Sequence, residues 1–153
     1  MNVAPRTFFA IAPAALKVLL LVAAAALAGP ARAAPFTPQD EKAVRTVVEG
    51  QLAAFAKDDA RKAFSFAAPN VRQAVGNATG FLDMVKRGYP VVYRHVSVAF
   101  LMAEGKDDAV VQRVQMTDAD GTGWLAVYTL ERQKGNLWRI TGCQVVENKA
   151  RMA

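Results

Sequence analysis

The sequence predicts an α+β domain in which N-terminal helices pack on a strongly curved antiparallel sheet. Three observations lead there. Apolar residues recur at helical spacing between residues 37 and 88, they alternate with period two from 91 to 146, and the two patterns never interleave. Helices segregated from strands along the chain mark α+β rather than alternating α/β architecture.

Residues 1–33 read as a signal peptide outside that domain. Arg6 and Lys17 carry positive charge with no acid nearby, Val18–Ala28 is apolar, and Ala31 and Ala33 supply an A-x-A site. The eleven residues Val18–Ala28 fall short of the roughly 20 that cross a bilayer but match a signal core of about 7–15. Cleavage is expected after Ala33, because a cut after Ala34 would set Pro35 beside the scissile bond. Left uncleaved, the segment would tether the domain to a membrane. Residues 34–36 then form a short linker, 37–147 a single domain and 148–153 a C-terminal tail.

Cleavage also changes the charge. Arg6, Lys17 and Arg32 leave with the leader, so 16 of the 19 basic residues face 13 acids and the net charge falls from +6 to about +3. Arg45, Arg61, Arg72, Arg113 and Arg139 are scattered singly, without the basic stripe of a nucleic-acid binder. Cys143 is the single cysteine and His95 the single histidine. No internal disulfide and no Cys/His metal spacing is available. In an oxidising compartment Cys143 is either buried and inert or a link to a second chain, and its apolar neighbours favour burial.

The first helix opens at Thr37 as N-cap, with Pro38 at the first helical position and Asp40 placed to close a capping box. Val44, Val47, Val48, Leu52 and Phe55 share one face, with Gln51 as a polar flaw in the stripe. A second helix restarts from Asp58–Asp59, either of which can cap it, and Pro69 ends it. "NVRQAV" makes at most a turn or two before Gly76. Thr79 is expected to cap a short helix, "GFLDMVKR", that Gly88 terminates. Four strands follow: Val91–Ala103, Ala109–Thr117, Gly123–Gln133 and Leu137–Val146. Their connections "EGKDD", "DADGT" and "KGN" are short and turn-forming. Trp124, Ala126, Tyr128 and Leu130 fall on one face, Leu125 and Val127 on the other, so both faces carry apolar groups. Such a sheet can wrap the first helix as a cone with one open end. The stretch Ser65–Pro90, rich in aromatics, Pro and Gly, reads as a lid across that end.

The order of three helices and a meander, with "NLWRITGC" on the last strand, resembles the nuclear transport factor 2-like superfamily, whose cone-shaped fold includes ketosteroid isomerase and polyketide cyclases. More narrowly, "QLAAFAKDDARKAFSFAAPNVRQAV", "FLDMVKRGYPVVYR" and "DADGTGWLAVYTLERQKGNLWRITGC" together resemble a bacterial family known as domain of unknown function 4864. The likeness runs from Asp40 to about Val146 and implies the cone fold. The superfamily hosts enzymes and non-enzymes on one scaffold, so it lends no activity. Its enzymes place acids, Tyr or His inside the cone. Here the strand positions able to face a cone carry Tyr93, Arg94, His95, Gln112, Arg113, Tyr128 and Gln144, none of them acidic.

Five of the chain's polar residues are the pocket candidates. His95 can shuttle protons near neutrality or sit on the solvated face of an outer strand with Tyr93. Arg94, on the more apolar phase, either pairs with Asp58 or Asp59 or binds an acidic ligand. Gln51 either bonds strand backbone in the core or points into a cavity. Tyr128, like Trp124 and Trp138, fits a core as well as a ligand cage. The expected protein is an exported, non-catalytic ligand-binding or protein-interaction module of the bacterial cell envelope, without cofactor or metal, forming a homodimer through the outer sheet face. The alternative is an isomerase, lyase or hydrolase of small molecules using Tyr93, His95 or Tyr128.

Overall fold

The computed structural model describes residues 34–149. The signal-peptide reading of 1–33, with its cut after Ala33, and residues 150–153 of the tail lie outside the described residues. Five helices and five strands follow in chain order: α1 (Pro38–Ala56), α2 (Ala60–Ser65), α3 (Pro69–Val75), α4 (Ala78–Gly88), α5 (Pro90–Tyr93), β1 (Ser97–Phe100), β2 (Glu104–Lys106), β3 (Ala109–Thr117), β4 (Gly123–Gln133) and β5 (Leu137–Glu147).

Helix α1 starts with the full capping box. The Thr37 side chain accepts from the Asp40 amide, and the Asp40 carboxylate accepts from the Thr37 amide. Asp59 caps α2 through the Lys62 amide. Pro69 does more than stop the preceding run. Its fixed φ suits a first helical position, and it opens α3 over "PNVRQAV". The cap of α4 is Asn77, whose Oδ1 accepts from the Gly80 amide at 2.8 Å, and not Thr79. Asn77 is the better placed of the two, because an N-cap side chain must lie before the first helical residue to reach that amide.

The expected strand Val91–Ala103 is the largest departure. Pro90 starts a single helical turn, closed by the Arg94 amide donating to the Pro90 carbonyl, and Val91 and Val92 enter the core from it. Only Ser97–Phe100 pairs as β1, against Val114–Thr117. The chain then leaves the sheet at Leu101 and returns as β2, against Ala109–Val111. Gln112 makes this break affordable to the backbone: buried at 1% exposure, it donates to the Leu101 carbonyl at 2.7 Å and the Arg113 carbonyl at 2.9 Å.

The sheet order is β1-β3-β4-β5, all antiparallel, with β2 sharing the β3 edge. Val110, Gln112, Val114 and Met116 of β3 and Ala126, Tyr128 and Leu130 of β4 are buried on the inner face, against Val44, Val48, Leu52 and Phe55 of α1. In β5 the inward positions change parity. Trp138 and Ile140 point in, and then Thr141 and Gly142 both oppose Thr129, so inward pointing resumes at Cys143 opposite Tyr128. This bulge bends the strand. The segment Phe66–Ala68 closes part of the β5 edge: the Ala68 amide donates to the Ile140 carbonyl and the Ile140 amide to the Phe66 carbonyl.

Candidate functional site

A cavity of about 370 Å³ opens between the inner sheet face, the C-terminal half of α1, and helices α3 and α4. Gln51 and Phe55 of α1 and Tyr128, Ile140 and Cys143 of the sheet form its back. Val71, Ala74 and Val75 of α3 and Phe81, Met84 and Val85 of α4 form its front. The Pro/Gly-rich stretch Ser65–Pro90 thus supplies one whole wall. Its chain reversals at Pro69 and Gly76 (φ +94°, open only to glycine at little strain) aim two short helices at the sheet. Amphipathic α4 buries Phe81, Leu82 and Val85.

The wall holds no Asp, Glu, Lys, Arg or His. Its polar groups are neutral. Gln51, 3% exposed, donates through Nε2 to the Ala63 carbonyl of α2 at 3.2 Å, a helix backbone where strand backbone was expected. Tyr128 is 1% exposed, and its hydroxyl has no hydrogen-bond partner among the described residues. The polar group beside it is the Cys143 thiol, a weak partner. Burial pushes the Tyr128 hydroxyl well above its usual range and the Cys143 thiol up to about 12, the latter despite the opposing effect of Tyr128. Both groups are therefore protonated donors at neutral pH.

The five candidates do not converge. Gln51 and Tyr128 meet in this cavity. Tyr93 and Arg94 lie instead on the surface around Asp58, because the helical turn at Pro90 removes the strand alternation that would have aimed them inward. The Tyr93 hydroxyl donates to Asp58 Oδ1, Arg94 Nη2 pairs with Asp58 Oδ2 at 3.0 Å, and Lys86 Nζ with Oδ1 at 3.3 Å. Arg94 Nη1 also donates to the Phe55 carbonyl at 2.6 Å, satisfying the C-terminal end of α1, which has no basic residue in its own last turn. Tyr93 and Lys86 hold the Asp58 carboxyl below its usual range. His95 sits in a third place, a groove with Arg45, Glu49 and Phe100, where burial lowers its pKa.

Of the other strand positions, Arg113 reaches outward to Glu104, and Gln144 is exposed because the Thr141–Gly142 bulge reverses the parity after Ile140. Residue-by-residue reading missed Cys143 and Thr141 as cavity residues for the same reason. The signal lay in "WRITGCQVV", whose apolar positions shift from even to odd across Thr141–Gly142. A larger groove of about 560 Å³ runs from Ser97 past Trp124 to Lys149. Among the described residues, no group of three His, Cys, Asp or Glu side chains is placed to hold a metal ion, and no helix is long and apolar enough to cross a membrane.

With this geometry in place, the family follows from the sequence match. The model described as Domain of unknown function (DUF4864) matches residues 37–153. The chain belongs to that family. No curated protein matches it. The DUF4864 chain is similar in structure to an NTF2-like protein of unknown function from Shewanella baltica OS155, with a TM-score of 0.55, 15% identity, and coverage of 75% of this chain and 99% of that one. A second, from Silicibacter pomeroyi DSS-3 and likewise NTF2-like and of unknown function, gives a TM-score of 0.51 at 16% identity, covering 74% and 100%. At such identities the likeness concerns the fold, and the fold of this DUF4864 domain is NTF2-like.

Proposed function

We propose that this protein is an exported binding module that holds a small, largely apolar molecule between α3, α4 and the inner sheet face, without transforming it. The observation that carries the reading is the uncharged wall of the 370 Å³ cavity. General acid–base work needs a group that changes protonation near neutral pH. The chain's imidazole lies in a different groove, and Tyr93 and Arg94 are engaged by Asp58. The cavity's volume and its apolar lining, with a few polar groups, match the usual character of small-molecule sites. Export rests on the N-terminal pattern of residues 1–33 and places the module in the cell envelope.

The test is a fluorescence titration with the neutral dye N-phenyl-1-naphthylamine. Ala74 is exposed on α3 at the cavity rim, so Ala74→Trp blocks the mouth with little disturbance to folding. The wild type should bind the dye saturably, and the variant should bind at least about tenfold more weakly, a loss of 1.4 kcal/mol, at unchanged Tm. Equal binding by both proteins would remove the cavity from the account.

A further inference from the structure

We infer that the molecule held in this cavity is neutral and mostly hydrocarbon, and that it carries a hydrogen-bond donor seated on Gln51 Oε1, as an alcohol, a phenol or an N–H heterocycle would. The inference rests on the binding-module reading and narrows it to a chemical class.

Gln51 interrupts the apolar stripe of α1 and is only 3% exposed, yet it lines the cavity. The protein fixes which way its amide faces. The Ala63 carbonyl can only accept, so the atom 3.2 Å from it is Nε2, and the amide oxygen is the end left over. Oε1 accepts no hydrogen bond from the described residues. Nor is it sealed: the enclosed side-chain polar atoms without a partner among the described residues are His95 Nδ1, the Tyr128 hydroxyl and Arg132 Nε. Oε1 is therefore a bare acceptor within reach of whatever fills the cavity. The Tyr128 hydroxyl, shut in beside the Cys143 thiol, takes no part.

A buried acceptor is costly to leave unpaired. Any water that serves Oε1 is displaced when an apolar molecule enters, and affinity falls unless the newcomer donates in its place. Ethers, esters and ketones leave Oε1 bare whatever the second Nε2 hydrogen does; a hydroxyl or a ring N–H does not. Thr141, whose hydroxyl donates to Thr129 at 3.0 Å, keeps a second acceptor on the β5 side of the wall. Asn70, exposed on α3, and the half-buried Tyr89 can each donate or accept, so they impose no class. With no charged side chain on the wall, a carboxylate or an ammonium would lose its hydration unpaired.

Three probes separate the possibilities by calorimetric titration. 2-Naphthol and 2-methylnaphthalene share an outline and differ by a donor in place of a methyl group, and 2-naphthoate adds charge. The wild type should bind 2-naphthol, and bind 2-naphthoate at least about tenfold more weakly. Gln51→Met keeps the side-chain length and removes the amide; it should weaken 2-naphthol about tenfold relative to 2-methylnaphthalene, 1.4 kcal/mol. In wild type isotope-labelled at glutamine, the Gln51 Cδ resonance should move downfield with 2-naphthol and much less with 2-methylnaphthalene. That reading needs no variant, so it decides the matter even if Gln51→Met fails to fold. Equal Cδ shifts with both ligands, an unchanged ratio of affinities in Gln51→Met, or 2-naphthoate binding as tight as 2-naphthol overturns the inference; 2-methylnaphthalene binding in that case leaves the module reading standing. Failure of all three probes to bind overturns both.

Discussion

Asp40 and Arg132, 92 residues apart in the chain, form a buried ion pair at 3.0 Å between Asp40 Oδ1 and Arg132 Nη1. Asp40 is also the capping-box acid of α1 and accepts from the Trp138 indole at 3.1 Å. Arg132 lies over the Trp138 ring and reaches Asp108 at 3.0 Å and Asn136 at 2.6 Å. One carboxylate thus joins the start of the first helix to the β4–β5 hairpin.

Burial alone would raise the Asp40 carboxyl. The hydrogen bonds from Thr37 and Trp138 and the charge of Arg132 outweigh it and bring the pKa down to about 2. A folded value below the unfolded one stabilises the fold above about pH 4, and that contribution is lost as pH falls toward 2. Urea unfolding should therefore show falling stability across this window, and Asp40→Asn should flatten that slope. At neutral pH the variant should lose about 3 kcal/mol, the low end for a broken buried pair, because Arg132 keeps Asp108. An unchanged slope in Asp40→Asn would assign the acid sensitivity to other carboxylates.

Phe36 packs edge-on against Trp138, with centroids 5.7 Å apart and planes at 80°, and covers the bare backbone of Gly105 in β2. A Cβ at Gly105 would fall 2.2 Å from the Phe36 ring carbon Cγ. Gly105→Ala should cost about 1–3 kcal/mol by overpacking. In a Phe36→Ala background the same change should cost under about 0.5 kcal/mol. Chemical denaturation of the four proteins of the cycle measures the coupling, and additive effects would show that Phe36 does not hold this position.

Thr141 is the extra residue of the β5 bulge and donates to the Thr129 hydroxyl at 3.0 Å. Deleting it leaves Cys143 opposite Tyr128 but straightens the strand. The domain should still fold, with N-phenyl-1-naphthylamine affinity reduced about tenfold, 1.4 kcal/mol. Full affinity in the deletion variant would show that the bend does not shape the cavity.

Cys143 should resist alkylation. The thiolate is the reactive form, and burial in the cavity wall pushes this thiol up to about 12. Iodoacetamide at pH 8 should modify the folded protein at least about a hundredfold more slowly than the urea-unfolded chain, since free cysteine ionises near 8.5. Comparable rates, followed by intact mass, would place the thiol in water.

Much of this architecture is legible in the sequence because it is local. The Thr37–Asp40 box, the Val44–Phe55 stripe, the alternation of Trp124–Leu130 and the turn residues each act over a few positions. What escaped depends on distant or non-periodic events. Pro90 reads as a strand boundary but nucleates a helical turn, which moves Tyr93 and Arg94 to the surface. An unrecognised extra residue at Thr141 reverses parity and puts Gln144 outside and Cys143 inside. The Asp40–Arg132 pair has no local signature, since its members come from opposite ends of the domain. Of the candidate site, Gln51 was readable as a polar interruption and Tyr128 as an inward aromatic. Their convergence with α3 and α4 required the fold.

The most direct test of the central idea, that α3, α4 and the inner sheet face enclose a working cavity, is an amide chemical-shift map during titration with N-phenyl-1-naphthylamine. The account predicts perturbations concentrated at Ala67, Val71, Ala74 and Thr141 to Cys143, all at the cavity wall. Perturbations gathered instead on outward-facing Leu125, Val127 and Gln144, with the cavity residues silent, would contradict it.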